Sequence, residues 1–368
     1  MRFRKTNLIN PVGISNTKAD LSGVLIILLL CFVLLLQPIL AFETDQFNLP
    51  PQPLADIGDE VSDYAEENVR EAVEKVNSDI VIHQKCLESR TKNCTSAEKE
   101  RAELAVLRSE EAVAREVYNL LGAGTIPYTK SGTWINSHEF KNQPARYKTD
   151  YKDSIFRLMP FDFLTISPTV NLYGTQFGTD KIAHIFQQGY AYYKKYNNGI
   201  EKKLTEIESV KKAVKWGKTS ENTYYGLLAS GVYSNADLAA NYAGMRFYQG
   251  LTHEIKIGET MRPPIVQIKD GFWKFNESVI LRESLLKPFI SNHFNEAYNP
   301  SKYLIGLRSS VRRIVREKSC KEWRRQNPDL TPEDYKNISQ KLKLWHGENY
   351  GFSASKHFIT IADTCFDK

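Results

Sequence analysis

Two stretches, Gly178–Tyr193 (GTDKIAHIFQQGYAYY) and Ser234–Leu251 (SNADLAANYAGMRFYQGL), decide how the rest of the chain is read. At 100° per residue, a helix capped by Thr179 puts Ile182, Ile185, Phe186, Tyr190 and Tyr193 on one side and Asp180, His184, Gln187, Gln188 and Ala191 on the other. That second side carries no Lys or Glu between Lys181 and Lys194, as a free surface normally would. Asp180 and His184 stand four apart, so the carboxylate can orient the imidazole and raise its basicity. They form half of an acid/base or metal site, or else a solvated face on which Asp180 is favoured by the helix dipole.

In the second stretch Ser234 and Asp237 have capping-box spacing and open another helix. Ala239, Ala240, Ala243 and Gly244 follow, and no charge appears before Arg246. Small residues on several sides predict a helix packed closely on its neighbours. Asp237, Asn241, Gly244 and Tyr248 then line a buried polar stripe that needs partners. Either these residues bind and orient a substrate, or they only cap and hold the helix.

Outward from this centre the chain reads as mainly α. A helical pattern from Asp56 to His83 and a second from Thr95 to Leu121 make an N-terminal helical hairpin, residues 56–121, pinned near its tip by Cys86 and Cys94. Residues 125–179 lose periodicity and form an irregular, aromatic-rich segment. A charged surface helix, Glu201 to Trp216, precedes a short helix capped by Ser220, whose first residue Glu221 would have its pKa raised by burial. Ile265–Ile268 and Phe272–Phe275 read as one small β-hairpin about Asp270-Gly271. A helix over Val279–Ile290 is expected to lead into His293 and Glu296, three apart on a helix face, as a third polar cluster. The segment Lys302–Arg325 is an amphipathic basic helix.

The ends locate the chain in the cell. Arg2, Arg4, Lys5 and Lys18 precede an unbroken apolar run, Val24–Leu36, and a cleavage position after Ala41. Residues 1–41 therefore read as a signal peptide or an uncleaved signal anchor, 42–55 as a tether and 56–368 as one mainly helical domain. Both versions place that domain outside the cytoplasm, periplasmic, secreted or anchored. Cys86, Cys94, Cys320 and Cys365 are then an even set in an oxidising compartment, paired Cys86–Cys94 and Cys320–Cys365. They lack zinc-ligand spacing.

The formal charge of +6 falls to +3 once the four basic residues and one acidic residue of positions 1–41 are set aside, too little to argue for nucleic acid. Residues 43–75 carry ten acidic and two basic side chains, residues 308–325 eight basic and two acidic. The two regions would attract each other, or Arg308, Arg312 and Arg316 would contact an anionic envelope polymer or a membrane surface. No cofactor signature is present. Asp, His and Glu would suit zinc or manganese, but their spacing is not diagnostic.

Glu221 followed by Asp237, Asn241, Gly244, Phe247, Tyr248 and Leu251 resembles the helical lytic transglycosylases of bacterial cell walls over residues 221–251. The resemblance implies a catalytic glutamate at a helix end and a later Asn-containing helix. It departs at Asn222, where those enzymes have serine, lacks their Gly-Leu-Met-Gln segment, and has ANYAG for their Ala-Tyr-Asn-Ala-Gly. Two functions fit the whole: a hydrolase or lyase acting on an envelope polymer, with His184 or Glu221 moving protons, or a non-catalytic binding or scaffold protein whose polar stripes hold helices in register.

Overall fold

The computed structural model describes residues 43–89, 94–126, 128–157, 166–223 and 225–366. The apolar run, the cleavage position after Ala41 and Phe161–Thr165 lie outside the described residues. In chain order the helices are α1 (Gly58–Ser89), α2 (Ala97–Leu107), α3 (Glu110–Val117) and α4 (Lys130–Ser137). Helix α5 starts as Asp180–Ala183, passes through a π turn, His184–Gln188, and continues as Gly189–Glu201. Then come α6 (Glu206–Glu221), α7 (Asn235–Thr252), α8 (Ile305–Ile314, extended through a π turn to Cys320–Gln326) and α9 (Pro332–Lys341). The class is mainly α.

The sheets are small antiparallel trims. β1 (Thr169–Leu172) pairs with β2 (Thr175–Gly178), and β3 (Val232–Ser234) is joined by a later strand. β4 (Ile255–Ile257) pairs with β5 (Thr260–Arg262), and β6 (Val266–Lys269) with β7 (Phe272–Phe275) about Asp270 and Gly271. Those two residues have φ of 55° and 81°, the left-handed pair that a type I′ turn requires. β8 (Ser301–Tyr303) lies between β3 and β9 (Phe358–Ile359).

Helix α7 is the axis of the fold. From Asn235 to Leu251 every residue but Arg246 is buried, which explains why its sequence is apolar or small on every side. It crosses α5 where glycine meets glycine: a Cβ on Gly189 would come within 2.5 Å of the Gly244 Cα, and one on Gly244 within 2.1 Å of the Ile185 carbonyl oxygen. No other residue type fits at this crossing without separating the helices. Because the backbones touch, the polar faces of α5 and α7 upstream of the crossing are pressed together.

The N-terminal hairpin forms as expected, with α2 and α3 returning along α1, which buries Val61, Ala65, Val69, Ala72, Val73, Val76 and Ile80. Cys86 is bonded to Cys94 and Cys320 to Cys365. A second, smaller core gathers around Trp323, Tyr335, Phe47 and the Cys320–Cys365 bridge. These bridges span 8 and 45 residues of sequence. By loop-closure entropy, replacing Cys320 and Cys365 by serine should cost about 4 kcal/mol and the same change at Cys86 and Cys94 about 2.5 kcal/mol. Urea unfolding of the two double variants checks the order.

Several expectations are corrected. Residues 43–47 are not a loose tether but are buried in the body, with the Trp323 indole donating to the Phe47 carbonyl at 2.8 Å. Residues 130–137, within the segment read as irregular, form α4, capped by Thr129 accepting from the Gly132 amide at 2.9 Å. The helix expected over Val279–Ile290 is replaced by turns and one 3₁₀ turn, Lys287–Phe289. Pro288 lacks the amide donor that a continuing helix needs. The acidic and basic terminal regions do not meet in ion pairs among the described residues. Arg312 and Arg316 instead donate to the carbonyls of Phe358 (3.3 Å) and Thr364 (3.5 Å), and Arg308 meets His357. The guanidinium groups thus hold down the chain's own C-terminal segment.

Candidate functional site

The first turn of α5 presents Asp180 and Lys181 to the first turn of α7, and both side chains are fully buried. A lysine in a helix's first turn opposes the helix dipole and, buried, loses its hydration, so it requires close negative charge. It has three: Lys181 Nζ lies 2.5 Å from Asp180 Oδ2, 2.6 Å from Asp237 Oδ1 and 2.6 Å from Glu296 Oε1. The Asp180 contact is a hydrogen bond, and the Asp237 contact is an ion pair. Burial by itself would lower the Lys181 pKa, but Asp180, Asp237, Glu296 and Glu43 together raise it well above its ordinary value.

Each carboxylate is tied in turn to a different part of the chain. Asp180 Oδ1 accepts from the Thr44 hydroxyl at 2.7 Å. Glu296, in the loop before β8, accepts from Ser234 on one oxygen and from Ser301 on the other, both at 2.8 Å. Ser234 and Ser301 are cross-strand partners of β3 and β8, so the pairing of the strands sets the two donors side by side. The Glu296 amide donates to Gln46 Oε1 at 2.6 Å. Ser234 also caps α7, accepting from the Asp237 amide at 3.1 Å. The expected reciprocal half of the capping box is missing, because the Asp237 carboxylate turns to Lys181 and His184 instead.

His184 stands at the edge of this assembly and is 5% exposed. Its Nδ1 is 2.9 Å from Asn241 Oδ1, and its Nε2 is 3.4 Å from Asp237 Oδ2. Asp237, not Asp180, is therefore the carboxylate that faces the imidazole. Burial raises the Asp237 pKa, yet His184 and then Lys181 outweigh it and hold this carboxyl below its ordinary value. Two further carboxyls complete the cluster. Glu43 Oε1 accepts from Ser230 at 2.7 Å, and Glu221 Oε1 accepts from the Ser234 amide at 3.0 Å. Burial first, then Asp237, pushes both well above the ordinary carboxyl value, and burial also raises Glu296. With five carboxyls around one ammonium and one imidazole, burial and the neighbouring negative charge favour the protonated forms of Glu43 and Glu221.

Asp180, His184, Glu221, Asp237, Asn241 and Glu296 are thus brought together. Glu221, expected at a helix start, is the last residue of α6, where the helix dipole disfavours its charge. Tyr248 is not in the cluster; its hydroxyl donates to the Phe186 carbonyl at 2.8 Å, among the rings of Tyr190 and Tyr193. His293 is not there either. It lies in a 3₁₀ turn, Asn292–Phe294, its Nε2 is 2.9 Å from the Leu344 carbonyl, and burial lowers its pKa to about 4. His293 and Glu296 consequently share no helix face.

Sequence reasoning missed Lys181, Glu43, Thr44 and Gln46. Lys181 had one signal, a cation in the first turn of a helix between residues read as buried. Glu43 had none, since it follows an apolar run in a stretch without periodicity.

Donor atoms of Asp180, His184 and Asp237, and of Glu43, Asp237 and Glu296, lie within 4.8 Å of one another, spacings compatible with a cation. The Lys181 ammonium is itself the cation shared by Asp180, Asp237 and Glu296. A cavity of about 810 Å³ is lined by α6, Tyr242, Arg246, Glu348 and Asn349 and by no member of the cluster. Compared with known protein families, curated proteins and solved structures, the chain has no significant match.

Proposed function

We propose that the chain is an exported, non-catalytic binding or scaffold protein of the cell envelope, in which the buried ion cluster assembles the fold. The observation that carries this reading is Lys181, fully buried with three carboxylates that are each occupied by partners from other segments. A catalytic group must reach a substrate atom, and a group spent on internal partners at zero exposure has no such reach. Export is supported by the basic residues before the apolar run Val24–Leu36 and by two disulfides, which persist in oxidising compartments. Contact of Arg308, which lies beside His357, with an anionic polymer or membrane surface belongs to the same proposal, whereas Arg312 and Arg316 are engaged by the chain's own carbonyls.

The second reading, a hydrolase or lyase, draws on the pair His184 and Asp237, since His184 is the most exposed of the cluster's ionisable residues. His184→Gln separates the two. If the cluster is structural, the variant loses about 1–2 kcal/mol of stability through its polar contacts, and neither it nor the parent releases fragments from isolated envelope polymers. Polymer cleavage by the parent, lost in a variant with an unchanged melting temperature, overturns the reading.

A further inference from the structure

The cavity beside α6 is a groove built differently from the ion cluster. It runs along α6, a helix of 16 residues and therefore about 24 Å long. Its volume of about 810 Å³ falls within the range of small-molecule sites, roughly 300–1,000 Å³. The apolar lining is aliphatic: Val210 and Val214 on α6, with Ile207, 69% exposed, at one end.

The edge of the groove is cationic. Lys211, Lys215 and Lys218 recur at helical spacing along α6, the first two exposed and the third half-buried. Among the described residues none of the three forms an ion pair within 4 Å, and only Lys211 has an acid acting on it, Glu208 one turn earlier. The neighbouring Lys212, by contrast, points away and donates to Asn198 at 2.7 Å. On the opposite wall the Glu348 charge is already taken up, accepting from the Tyr242 hydroxyl at 2.6 Å and lying 3.4 Å from Arg246 Nε. Glu206 is the remaining acid and sits at the Ile207 end. The groove is thus apolar along its floor and positive along its rim.

We propose that this groove binds a linear amphipathic anion, an alkyl chain bearing a carboxylate or phosphate head. Charge complementarity fixes the sign of the head group: three unpaired ammoniums would repel a cationic amphiphile and hold an anionic one. The floor fixes the tail. A sugar polymer would be met by exposed aromatic faces, and the one aromatic ring here, Tyr242, is 2% exposed with its hydroxyl occupied. Aliphatic side chains suit methylene groups, whose burial scales with chain length. The proposal deepens the binding reading above and rests on it.

The test is calorimetric titration of the mature protein with decanoate, dodecanoate and tetradecanoate below their micelle concentrations. Lysophosphatidate is run in parallel to separate a lipid phosphate from a free carboxylate, and dodecyltrimethylammonium as the opposite charge. One anion should bind per chain, tightening about two- to fourfold per methylene. Lys211→Gln/Lys215→Gln/Lys218→Gln should weaken binding at least about tenfold, and Ile207→Ser should reduce the chain-length dependence, both with unchanged melting temperature. No binding of either anion overturns the proposal, as do equal affinity for the cationic amphiphile and insensitivity to the lysine variant. Equal binding of polyglutamate, which has no alkyl chain, also overturns it. Each of these outcomes removes the ligand class alone; turnover of an envelope polymer would instead remove the binding reading on which it rests.

Discussion

Lys181→Met should destabilise the protein by about 3–5 kcal/mol at neutral pH, the range observed when one partner of a buried ion pair is deleted. Methionine is close to lysine in length, so the change leaves little cavity and acts through charge. Asp180, Asp237 and Glu296 would then face one another, buried, without their shared cation. They can escape only by taking up protons, so the deficit should shrink as the pH is lowered. Because the cost lies in the orphaned carboxylates, Lys181→Met/Asp237→Asn/Glu296→Gln should recover much of what the single change loses. Lys215, exposed on α6, provides the control: Lys215→Met should stay within about 0.5 kcal/mol of the parent. Urea unfolding of the variants measures these differences.

Three buried glutamates should make stability fall as the pH is raised from 4.5 towards their elevated folded values. Glu43, Glu221 and Glu296 all hold their protons more tightly in the folded chain than the ordinary value of 4.5, burial being the largest cause. Above pH 4.5, and up to those raised values, the folded state binds more protons than the unfolded one. Raising the pH through that window therefore removes stability, by at most about 1.4 kcal/mol per pH unit for each group. Below pH 6.5 the sign is opposed by His293, whose folded pKa of about 4 is lower than the ordinary 6.5, so its contribution is lost as the pH falls. Asp237, depressed below its ordinary 3.8, acts in the same sense at still lower pH, and Lys181 matters only above 10.5. Glu43→Gln and Glu221→Gln should each lose less stability than the parent as the pH is raised above 4.5. Variants whose stability changes with pH above 4.5 just as the parent's does would contradict the assignment of these carboxyls.

Much of the helical frame was legible because it rests on local periodicity and on small residues. The α1 stripe from Val61 to Ile80, the type I′ turn at Asp270-Gly271 and the short Cys86–Cys94 loop follow from spacing along the chain. So did the burial of Asp237 and Asn241, since a helix with Ala239, Ala240, Ala243 and Gly244 has no face left for water. Asp180 and His184 were recognisable as one polar face, but their partners were not. Which carboxylate faces the imidazole depends on the crossing of Gly189 with Gly244, a contact between segments 55 positions apart in sequence. Glu43 and Thr44 reach the cluster from a segment with no pattern of its own, and Glu296 from a loop. The short polar helix α4 failed to register because KSGTWINS has no apolar repeat, and Val279–Ile290 was misjudged because its apolar repeat outweighed Pro288.

The central claim is that Lys181 is a charged, dry ammonium shared by three carboxylates. It is tested most directly by ¹⁵N NMR of the protein labelled at lysine side chains. The account predicts one ammonium resonance, absent from Lys181→Met, whose protons exchange slowly with water and whose shift does not titrate between pH 5 and pH 9. An Lys181 signal that exchanges as fast as those of the α6 lysines, or that loses its charge within this range, would contradict it.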